Sequence, residues 1–307
     1  MTRPSTAAVT TEQGLVVVGF DGSPTAETAL AWGLDVAAHR GARVEVVQAW
    51  TWNVAGLGVV VPDAPVTVAL SAKHSVETQL AKALADRGGA VQARARTVEG
   101  DAASVLLAEA PHADLLVLGR HGQSAWQRRL VGATLGSVAG ACLSRATCPV
   151  AVVPPEAVGG TPARVVVGVD GSASSVRALR WGVGHAAAVG VPVLAVLAWQ
   201  LTTLPAPPTA REDWSVPPIT EWESLGRDLL ADTVAQVEGP SEVQQLLLHR
   251  PAAAGLLETV QPEDLLVLGE RGRGGFARLL LGSVSRQCVE YAPCPVVVVP
   301  PRDRSAT

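Results

Sequence analysis

The chain repeats itself, and the length of the repeat constrains the fold more than any other feature of the sequence. The segments VVGxDGS, DLLVLG and CPV each occur twice, separated by about 150 residues, which is the size of a domain and not of a solenoid repeat. The repeated segments are Val17–Ser23 with Val166–Ser172, Asp114–Gly119 with Asp264–Gly269, and Cys148–Val150 with Cys294–Val296. We therefore predict two tandem domains, at residues 13–154 and 163–300, joined by a linker rich in proline and glycine.

Short unbroken apolar runs predict the strands of each domain. In the first copy they cover residues 15–18, 44–47, 115–118 and 150–153. Continuous rather than alternating apolar runs indicate strands that are buried on both faces, as in a parallel sheet flanked by helices. Helices are predicted at residues 26–38, 70–84, 102–110 and 135–143. The order β-α-β-α-β-α-β-α-β predicts an α/β fold of two doubly wound domains, whose ligands bind beyond the carboxyl ends of the strands.

Composition excludes several classes of protein. The net charge of −4 provides no basic field for nucleic acid. Residues 181–210 carry no charged side chain, but their glycines and prolines argue against a membrane span. The first 13 residues lack the apolar core of a secretory signal and four cysteines make no disulfide framework, so we expect a cytoplasmic protein. Lys73 and Lys82 are the only lysines and neither follows a glycine, which excludes a P-loop NTPase.

The loop after the first strand of each copy, GxDGS, permits two interpretations. Asp21 and Asp170 could accept hydrogen bonds from a base or a ribose. Asp, Gly and Ser are also the residues of a tight turn followed by a helix cap, and on this loop alone the turn is the better interpretation.

The loop after the fourth strand of the second copy, GERGRGG, favours a phosphate site. Its four glycines let backbone N–H groups approach an anion, and Gly282-Ser283 then begins a helix whose N-terminus favours phosphate. Arg271 and Arg273 add positive charge, which Glu270 opposes. A glycine-rich connector without a ligand is the alternative.

The spacing Gly-x2-Gly-x9-Gly-Ser, together with the GxDGS start and the CPVxVV end, resembles the ATP-binding universal stress proteins, and it does so in both halves. The resemblance implies a five-stranded parallel sheet with four helices per domain, and final strands that pair between the halves in an intramolecular pseudo-dimer. It implies ATP with Mg²⁺ as the ligand, with Asp21 and Asp170 at the adenosine and the backbones of Ala49 and Ala198 at the adenine. The candidate nucleotide-binding residues of the second copy are Gly168, Asp170, Ala198, Gly269, Arg271, Gly272, Arg273, Gly274, Gly275, Gly282, Ser283, Val284 and Ser285.

The first copy departs from this pattern. Gly132 lies at the family spacing but Ala133 follows it, whereas Gly136-Ser137-Val138 lies four residues later. Either Gly132 is the phosphate glycine and the helix gained about one turn of 3.6 residues, or Gly136-Ser137 is the true pair and the loop gained four residues. The candidates of the first copy are Gly19, Asp21, Ala49, Gly119, Arg120, Gly122, Gly132, Thr134, Gly136 and Ser137. We expect weaker or altered nucleotide binding here.

Other candidates for chemistry are weaker. The repeated Cys-x5-Cys spacing could form a redox pair or a metal site, but buried thiols are the better interpretation. Trp50 and Trp199 could stack on a base, although packing is favoured, and His121 could contact phosphate or face solvent.

No general base with an orienting partner is recognisable, so we expect an ATP-binding stress or signalling protein that acts through conformation and is at most a slow ATPase. A non-nucleotide interaction scaffold is the main alternative, and a flavin or redox relative of the same fold is a weaker one. A homodimer is possible on either interpretation.

Overall fold

The computed structural model describes residues 14–52, 64–88, 91–121, 135–200, 218–239, 242–272 and 281–301. The first copy consists of β1 (Leu15–Gly19), α1 (Pro24–Arg40), β2 (Arg43–Trp50), α2 (Ala64–Ala85), β3 (Ala93–Glu99), α3 (Ala102–Glu109), β4 (Leu115–Gly119), α4 (Ser137–Arg145) and β5 (Val150–Val153). The second copy consists of β6 (Val165–Gly168), α5 (Ala173–Val189), β7 (Val193–Trp199), α6 (Ile219–Ala235), β8 (Val243–His249), α7 (Ala252–Thr259), β9 (Leu265–Gly269), α8 (Ser283–Tyr291) and β10 (Val296–Val299).

The strands form one ten-stranded sheet in the order β3-β2-β1-β4-β5-β10-β9-β6-β7-β8. Pairing is parallel within each copy, as the continuous apolar runs predicted. Between the copies β5 and β10 pair antiparallel, with Ala151 opposite Val297. We call this β5–β10 pair the seam. Because the two copies run in opposite directions, the strands of one copy end on the side of the sheet where the strands of the other copy begin.

Helices cover both faces of the sheet, which confirms the doubly wound fold class. One apolar core lies between the sheet and α1, α2, α5 and α6, and includes Leu30, Leu80 and Leu179. The other core lies under α3, α4, α7 and α8, and includes Leu106 and Leu256. Among the described helices, none combines the length and the apolar character needed to cross a membrane.

Candidate functional site

The turn after β1 is held by its own side chains. Asp21 Oδ1 accepts the Ser23 N–H at 3.0 Å, and Ser23 Oγ accepts the Ala26 N–H at 3.2 Å, so that Ser23 caps α1. Gly22 has φ = 76°, a left-handed conformation that favours glycine. The interpretation of this loop as a turn and a helix cap is therefore confirmed, and the turn fixes the Asp21 carboxylate at the carboxyl end of the sheet.

The second copy repeats the same turn. Asp170 Oδ1 accepts the Ser172 N–H at 3.0 Å. Ser172 Oγ accepts the Ser175 N–H at 3.2 Å and so caps α5, and Gly171 has φ = 77°. Asp170 also lies against the glycine loop, because a Cβ added to Gly272 would be 2.5 Å from its Oδ2 atom. Any other residue at position 272 would therefore displace the Asp170 carboxylate where the two loops approach each other.

Strand β2 extends past the end of β1 and leaves part of its backbone facing the site. The Phe20 N–H donates to the Val47 carbonyl at 2.9 Å, and β1 ends at Gly19, opposite Val47. Alternate residues of a strand direct their N–H and C=O groups to the same side. The backbone groups of Ala49 therefore face the same side as those of Val47, two residues beyond the end of the β1 ladder.

The backbone of Ala198 has the equivalent position in the second copy. The Val169 N–H donates to the Val196 carbonyl at 2.9 Å, and β6 ends at Gly168, opposite Val196. In both copies one donor and one acceptor of the second strand thus face the region beyond the first strand. A donor and an acceptor on one strand can read the edge of a planar heterocycle.

The last helix of each copy begins at the carboxyl end of that copy's own strands, where its candidate site lies. Gly136 and Gly282 are the N-cap residues of α4 and α8, with nearly the same φ and ψ of −65° and 147°, and −66° and 150°. The Gly136 N–H donates to the Arg120 carbonyl, and the Gly282 N–H to the Glu270 carbonyl, both at 2.9 Å. Gly136-Ser137 is therefore the structural counterpart of Gly282-Ser283.

This equivalence decides between the two alignments of the first copy. Helices α4 and α8 have the same length of 9 residues, so the helix has not gained a turn. The alternative in which the helix gained one turn is therefore wrong, and the extra four residues belong to the loop before α4. A contact of Gly132 with phosphate stays a prediction. Gly122, Gly132, Thr134, Arg273, Gly274 and Gly275 lie outside the described residues.

In the first copy these elements enclose a cleft of about 180 Å³. Sequence analysis had singled out part of its lining: Gly19, Asp21, Ala49, Gly119, His121, Gly136 and Ser137. It missed the apolar part, which includes Phe20, Val47, Ala102, Leu106 and Leu118. Phe20 follows β1, and the other missed residues belong to the apolar pattern of β2, β4 and α3, so their pattern gives no sign that they also face a cleft.

Four of the predicted site glycines lie in tightly packed positions. A Cβ on Gly19 or Gly168 would be 2.5 Å from the Cδ2 atom of Leu118 or Leu268, respectively. A Cβ on Gly119 would be 3.0 Å from the backbone of Thr25, and one on Gly269 would be 2.9 Å from the backbone of Ser174. Close packing of strand ends against the helices is sufficient to explain these glycines.

Arg120 corrects one prediction of a nucleotide contact. Its side chain is 7% exposed, and its Nη2 atom donates to the Ala292 carbonyl at the end of α8, across the seam. Its N–H donates to the Val153 carbonyl, and its own carbonyl accepts from Gly136. Burial lowers the pKa of the guanidinium, and the negative charge of nearby Glu156 raises it by a smaller amount. Arg120 thus joins the two copies and does not direct its charge to the cleft.

Ser285 corrects a second prediction. Its side chain is 5% exposed, and the hydroxyl donates to the Gly269 carbonyl at 2.7 Å. The hydroxyl was expected to donate to a ligand, but it connects the first turn of α8 to the end of β9. Ala139 occupies the equivalent place in the first copy, so this hydrogen bond is specific to the second.

The charges of the second loop partly neutralise each other. Arg271 Nη2 lies 3.6 Å from Oε1 of Glu270, whose side chain is 1% exposed.

Two other serines near the second loop differ from Ser285. Ser283 is exposed at the first position of α8. Ser174 Oγ is buried in the first turn of α5 and has no hydrogen-bond partner among the described residues. Ser174 is therefore a polar group near the loop that sequence analysis did not identify.

The cysteines and tryptophans behave as core residues. Cys142, Cys148, Cys288 and Cys294 are free and buried, and desolvation raises the pKa of each thiol to about 12. Trp199 is 1% exposed and packs in the α5–α6 core, on the face opposite α7 and α8, so the packing interpretation is confirmed for it. Among the described side chains, no group of three or more His, Cys, Asp or Glu residues could hold a metal ion.

Comparison with known proteins identifies the family. The family model described as "Universal stress protein family" matches residues 15–154 and 162–300. The chain belongs to the universal stress protein family. A universal stress protein of Mycobacterium tuberculosis strain H37Rv is 31% identical over an alignment of 307 positions, which covers 92% of this chain and 94% of that protein. One from Mycolicibacterium smegmatis is 31% identical and covers 95% of this chain and 98% of its own.

A solved structure supports the fold of this universal stress protein. The crystal structure of a universal stress protein from Archaeoglobus fulgidus DSM 4304 superposes with a TM-score of 0.65 at 18% identity. It covers 95% of this chain and 100% of the other. The match therefore extends over both copies.

Proposed function

We propose that this universal stress protein binds ATP at the carboxyl ends of its strands and signals through nucleotide-dependent conformation in the cytoplasm. The observation that carries the proposal is the backbone of Ala49 and Ala198, which faces the site beyond the ends of β1 and β6. Asp21 or Asp170 lies at one side of this region, and the N-terminus of α4 or α8 approaches the same edge. These groups match adenine, ribose and phosphate in turn.

The groups present fit a nucleotide better in the second copy. Exposed Ser137 and Ser283 make the two helix N-termini equally suited to an anion, but the second copy also has the buried Ser174 hydroxyl, which has no partner among the described residues and is left for a ligand atom or water. Mg²⁺ would be held chiefly by the phosphates and water. In the first copy the loop before α4 is four residues longer, so we propose weaker binding there.

Hydrolysis should be slow at most. Asp21 and Asp170 are each engaged in the turn that follows their strand, and the only histidine lining the cleft, among the described residues, is His121. A carboxylate that already accepts backbone N–H groups in a turn is a poor base for water, so we propose slow turnover at most.

Matched substitutions of the two helix-initiating glycines test the site. Gly282→Glu places a carboxylate at the N-terminus of α8, and Gly136→Glu does the same at α4 with the same backbone conformation. We expect Gly282→Glu to abolish the tighter phase of ATP binding in isothermal titration calorimetry, and Gly136→Glu to leave it in place. Unchanged tight binding in Gly282→Glu would contradict the assignment of this loop.

Two controls separate a local effect from misfolding. A Cβ at Gly282 would be 3.1 Å from the Glu270 carbonyl, so Gly282→Ala should fold with only a small adjustment and keep most of the ATP affinity. Far-ultraviolet circular dichroism should be the same for all three variants. Adenosine should compete for the site more weakly than ATP, because it lacks the phosphates that α8 faces.

One observation favours an interaction scaffold as the second candidate. The cleft of the first copy encloses about 180 Å³, below the roughly 300–1,000 Å³ of typical ligand pockets. A protein that is purified without nucleotide and does not respond to micromolar ATP would favour this candidate over the first.

A further inference from the structure

The described part of the sheet ends in two edge strands, β3 in the first copy and β8 in the second. An edge strand presents unpaired N–H and C=O groups on which another strand can pair. Proteins usually protect such edges with charged side chains, proline, bulges or a covering element. The two edges of this sheet differ in this protection.

Charge protects β3. Arg94 and Arg96 have side chains that are 70% and 41% exposed, and both bond to Glu45 on the neighbouring strand, at 2.6 and 2.7 Å. Arg96 also bonds to Glu109 of α3 at 2.6 Å. A strand that paired with β3 would have to remove water from these charges. This desolvation costs free energy unless the added strand provides groups of opposite charge.

Strand β8 itself carries no protective residue, because it reads VQQLLLH and contains no Asp, Glu, Lys, Arg or Pro. In the first copy the Val44 N–H donates to the Gln92 carbonyl, so the even-numbered residues of β3 bond to β2. The register of β7 with β8 is the same, with Val193 opposite Val243. The backbone groups of Val243, Gln245, Leu247 and His249 therefore face outward along the edge.

We propose that β8 pairs antiparallel with β8 of a second copy of this chain, around a two-fold axis at Leu246. An uncharged strand that pairs with itself brings no like charges together. Only one edge is unprotected in the described sheet, so pairing uses that edge in both molecules and closes as a dimer. Pairing of β8 with β3 would instead propagate into a filament, and Arg94 and Arg96 oppose it.

The seam provides a precedent within the molecule. Strands β5 and β10 read VAVV and VVVV, carry no charge, and pair antiparallel. Around Leu246 the same geometry places Gln245 opposite Leu247 of the second copy, and Val243 opposite its His249. Residue 246 faces itself as a non-hydrogen-bonded pair, the closer of the two pair types. On the α6 side, an open groove of about 560 Å³ along β8 leaves room for the second copy's side chains. Leu230 and Leu247 line it together with the charged Glu223, Arg227 and Asp228 of α6.

Light scattering coupled to size-exclusion chromatography tests the dimer. The wild-type protein should have twice the 31.6 kDa mass of the chain, and Leu246→Lys should have the mass of the chain because two ammonium groups would meet at the axis. Ile219→Lys is the matched control, since Ile219 is an exposed apolar residue (48%) at the start of α6, and this variant should remain dimeric. A wild-type protein that is monomeric at all concentrations, or a dimeric Leu246→Lys, would overturn the proposal.

Cross-linking tests the register and does not depend on how well Leu246→Lys folds. Cα atoms of a non-hydrogen-bonded antiparallel pair lie about 4.5 Å apart, within the range that a disulfide spans. Leu246→Cys should therefore form a covalent dimer on mild oxidation. Gln245→Cys should not, because the two introduced thiols would lie two residues out of register, beyond the ~7 Å limit.

The wild-type protein controls for the native thiols, which are buried and should not cross-link. Cross-linking of Gln245→Cys but not Leu246→Cys would contradict this register, and cross-linking of neither would contradict the pairing.

Discussion

At Gly269 the end of β9 meets the first turn of α5 so closely that no other residue fits. A Cβ would be 2.5 Å from Ser174 Oγ and 2.9 Å from the backbone of the same residue. From the sequence, this glycine was attributed to close approach of a phosphate. The structure gives it a packing role as well, so loss of ATP binding in a Gly269 variant would not by itself identify a ligand contact.

Two glycine-to-alanine changes should have opposite effects on stability. Gly269→Ala should lower the free energy of unfolding by about 1–3 kcal/mol, because the added methyl group overpacks against backbone. Gly184→Ala, in an exposed position of α5 with nothing within 4 Å of the new Cβ, should raise it by up to about 1 kcal/mol through helix propensity. Urea denaturation measures both, and equal effects would contradict the packing role of Gly269.

His185 is a buried residue that should make stability depend on pH. It is 1% exposed, and its Nδ1 atom accepts from Arg40 Nε at 3.3 Å. Desolvation, with the nearby Arg40 charge, lowers its pKa from 6.5 to about 3. Between these two values the unfolded chain binds a proton that the folded protein does not, so this residue destabilises the fold as the pH falls below about 6.5.

The free energy of unfolding of the wild-type protein should therefore fall relative to that of His185→Gln below pH 6.5. The difference should approach about 1.4 kcal/mol per pH unit, the value for one proton. Glutamine keeps an acceptor for Arg40 but does not titrate. Urea denaturation from pH 7.5 to 5 provides the comparison, and parallel pH profiles for the two proteins would contradict a depressed His185 pKa.

At the scale of elements, α1 and α5 start in different candidate sites and contact each other across the seam. Arg40 in the last turn of α1 lies 4.7 Å from the centre of the Trp181 ring on α5. Trp181 in turn stacks on His185, with ring centroids 5.2 Å apart. Burial lowers the pKa of Arg40, and nearby Asp114 partly offsets this. A cation held on an indole therefore links one copy to the other.

A double-mutant cycle should detect this link. Arg40→Met and Trp181→Leu keep apolar volume and remove the cation and the ring, respectively. Their effects on the free energy of unfolding should deviate from additivity by about 0.5–2 kcal/mol, the range of cation–π contacts. Arg40→Met with Trp32→Leu is a comparison pair, since Trp32 is a buried tryptophan of α1 and has no described ring contact with Arg40. Additive effects in the first pair would show that the contact does not contribute.

The sequence predicted the central elements well and the edges poorly. Strands such as Leu115–Gly119 are buried on both faces, so their apolar runs are continuous. Strand β3 lies at an edge and alternates Arg94 and Arg96 with small residues, so no apolar run marked it. The start of α4 was ambiguous because Gly132 lies at the family spacing whereas Gly136 is followed by a serine. The N-cap geometry of Gly136 and its hydrogen bond to the Arg120 carbonyl place the start of the helix. The role of Arg120 depends on a contact with Ala292, which is 172 residues away in sequence and cannot be read from a local pattern.

At the scale of the whole molecule, the sheet runs without interruption from one copy to the other. Ala151 and Val297 face each other at the seam, and both are 0% exposed. Arg120 and the α1–α5 contact connect the copies on either side of it. The two copies should therefore unfold together.

Differential scanning calorimetry should show one transition in the wild-type protein, with equal calorimetric and van't Hoff enthalpies. Ala151→Asp should lower the melting temperature and separate the transition into two, because it buries a charge in the seam. Val158→Asp makes a similar apolar-to-charged change at an exposed linker residue (53%) and should leave the profile unchanged. Two resolved transitions in the wild-type protein would contradict coupled unfolding.

The antiparallel seam also determines how the association of the two halves depends on protein concentration. Strand β5 ends and β6 begins at the same edge of the sheet, so a linker of few residues keeps the two halves at a high effective concentration. Association of the halves is then insensitive to the amount of protein in the cell. Each half is also free to carry its own side chain at an equivalent place, as Arg120 and Glu270 do beside the seam, whereas two identical subunits would have to present the same residue twice.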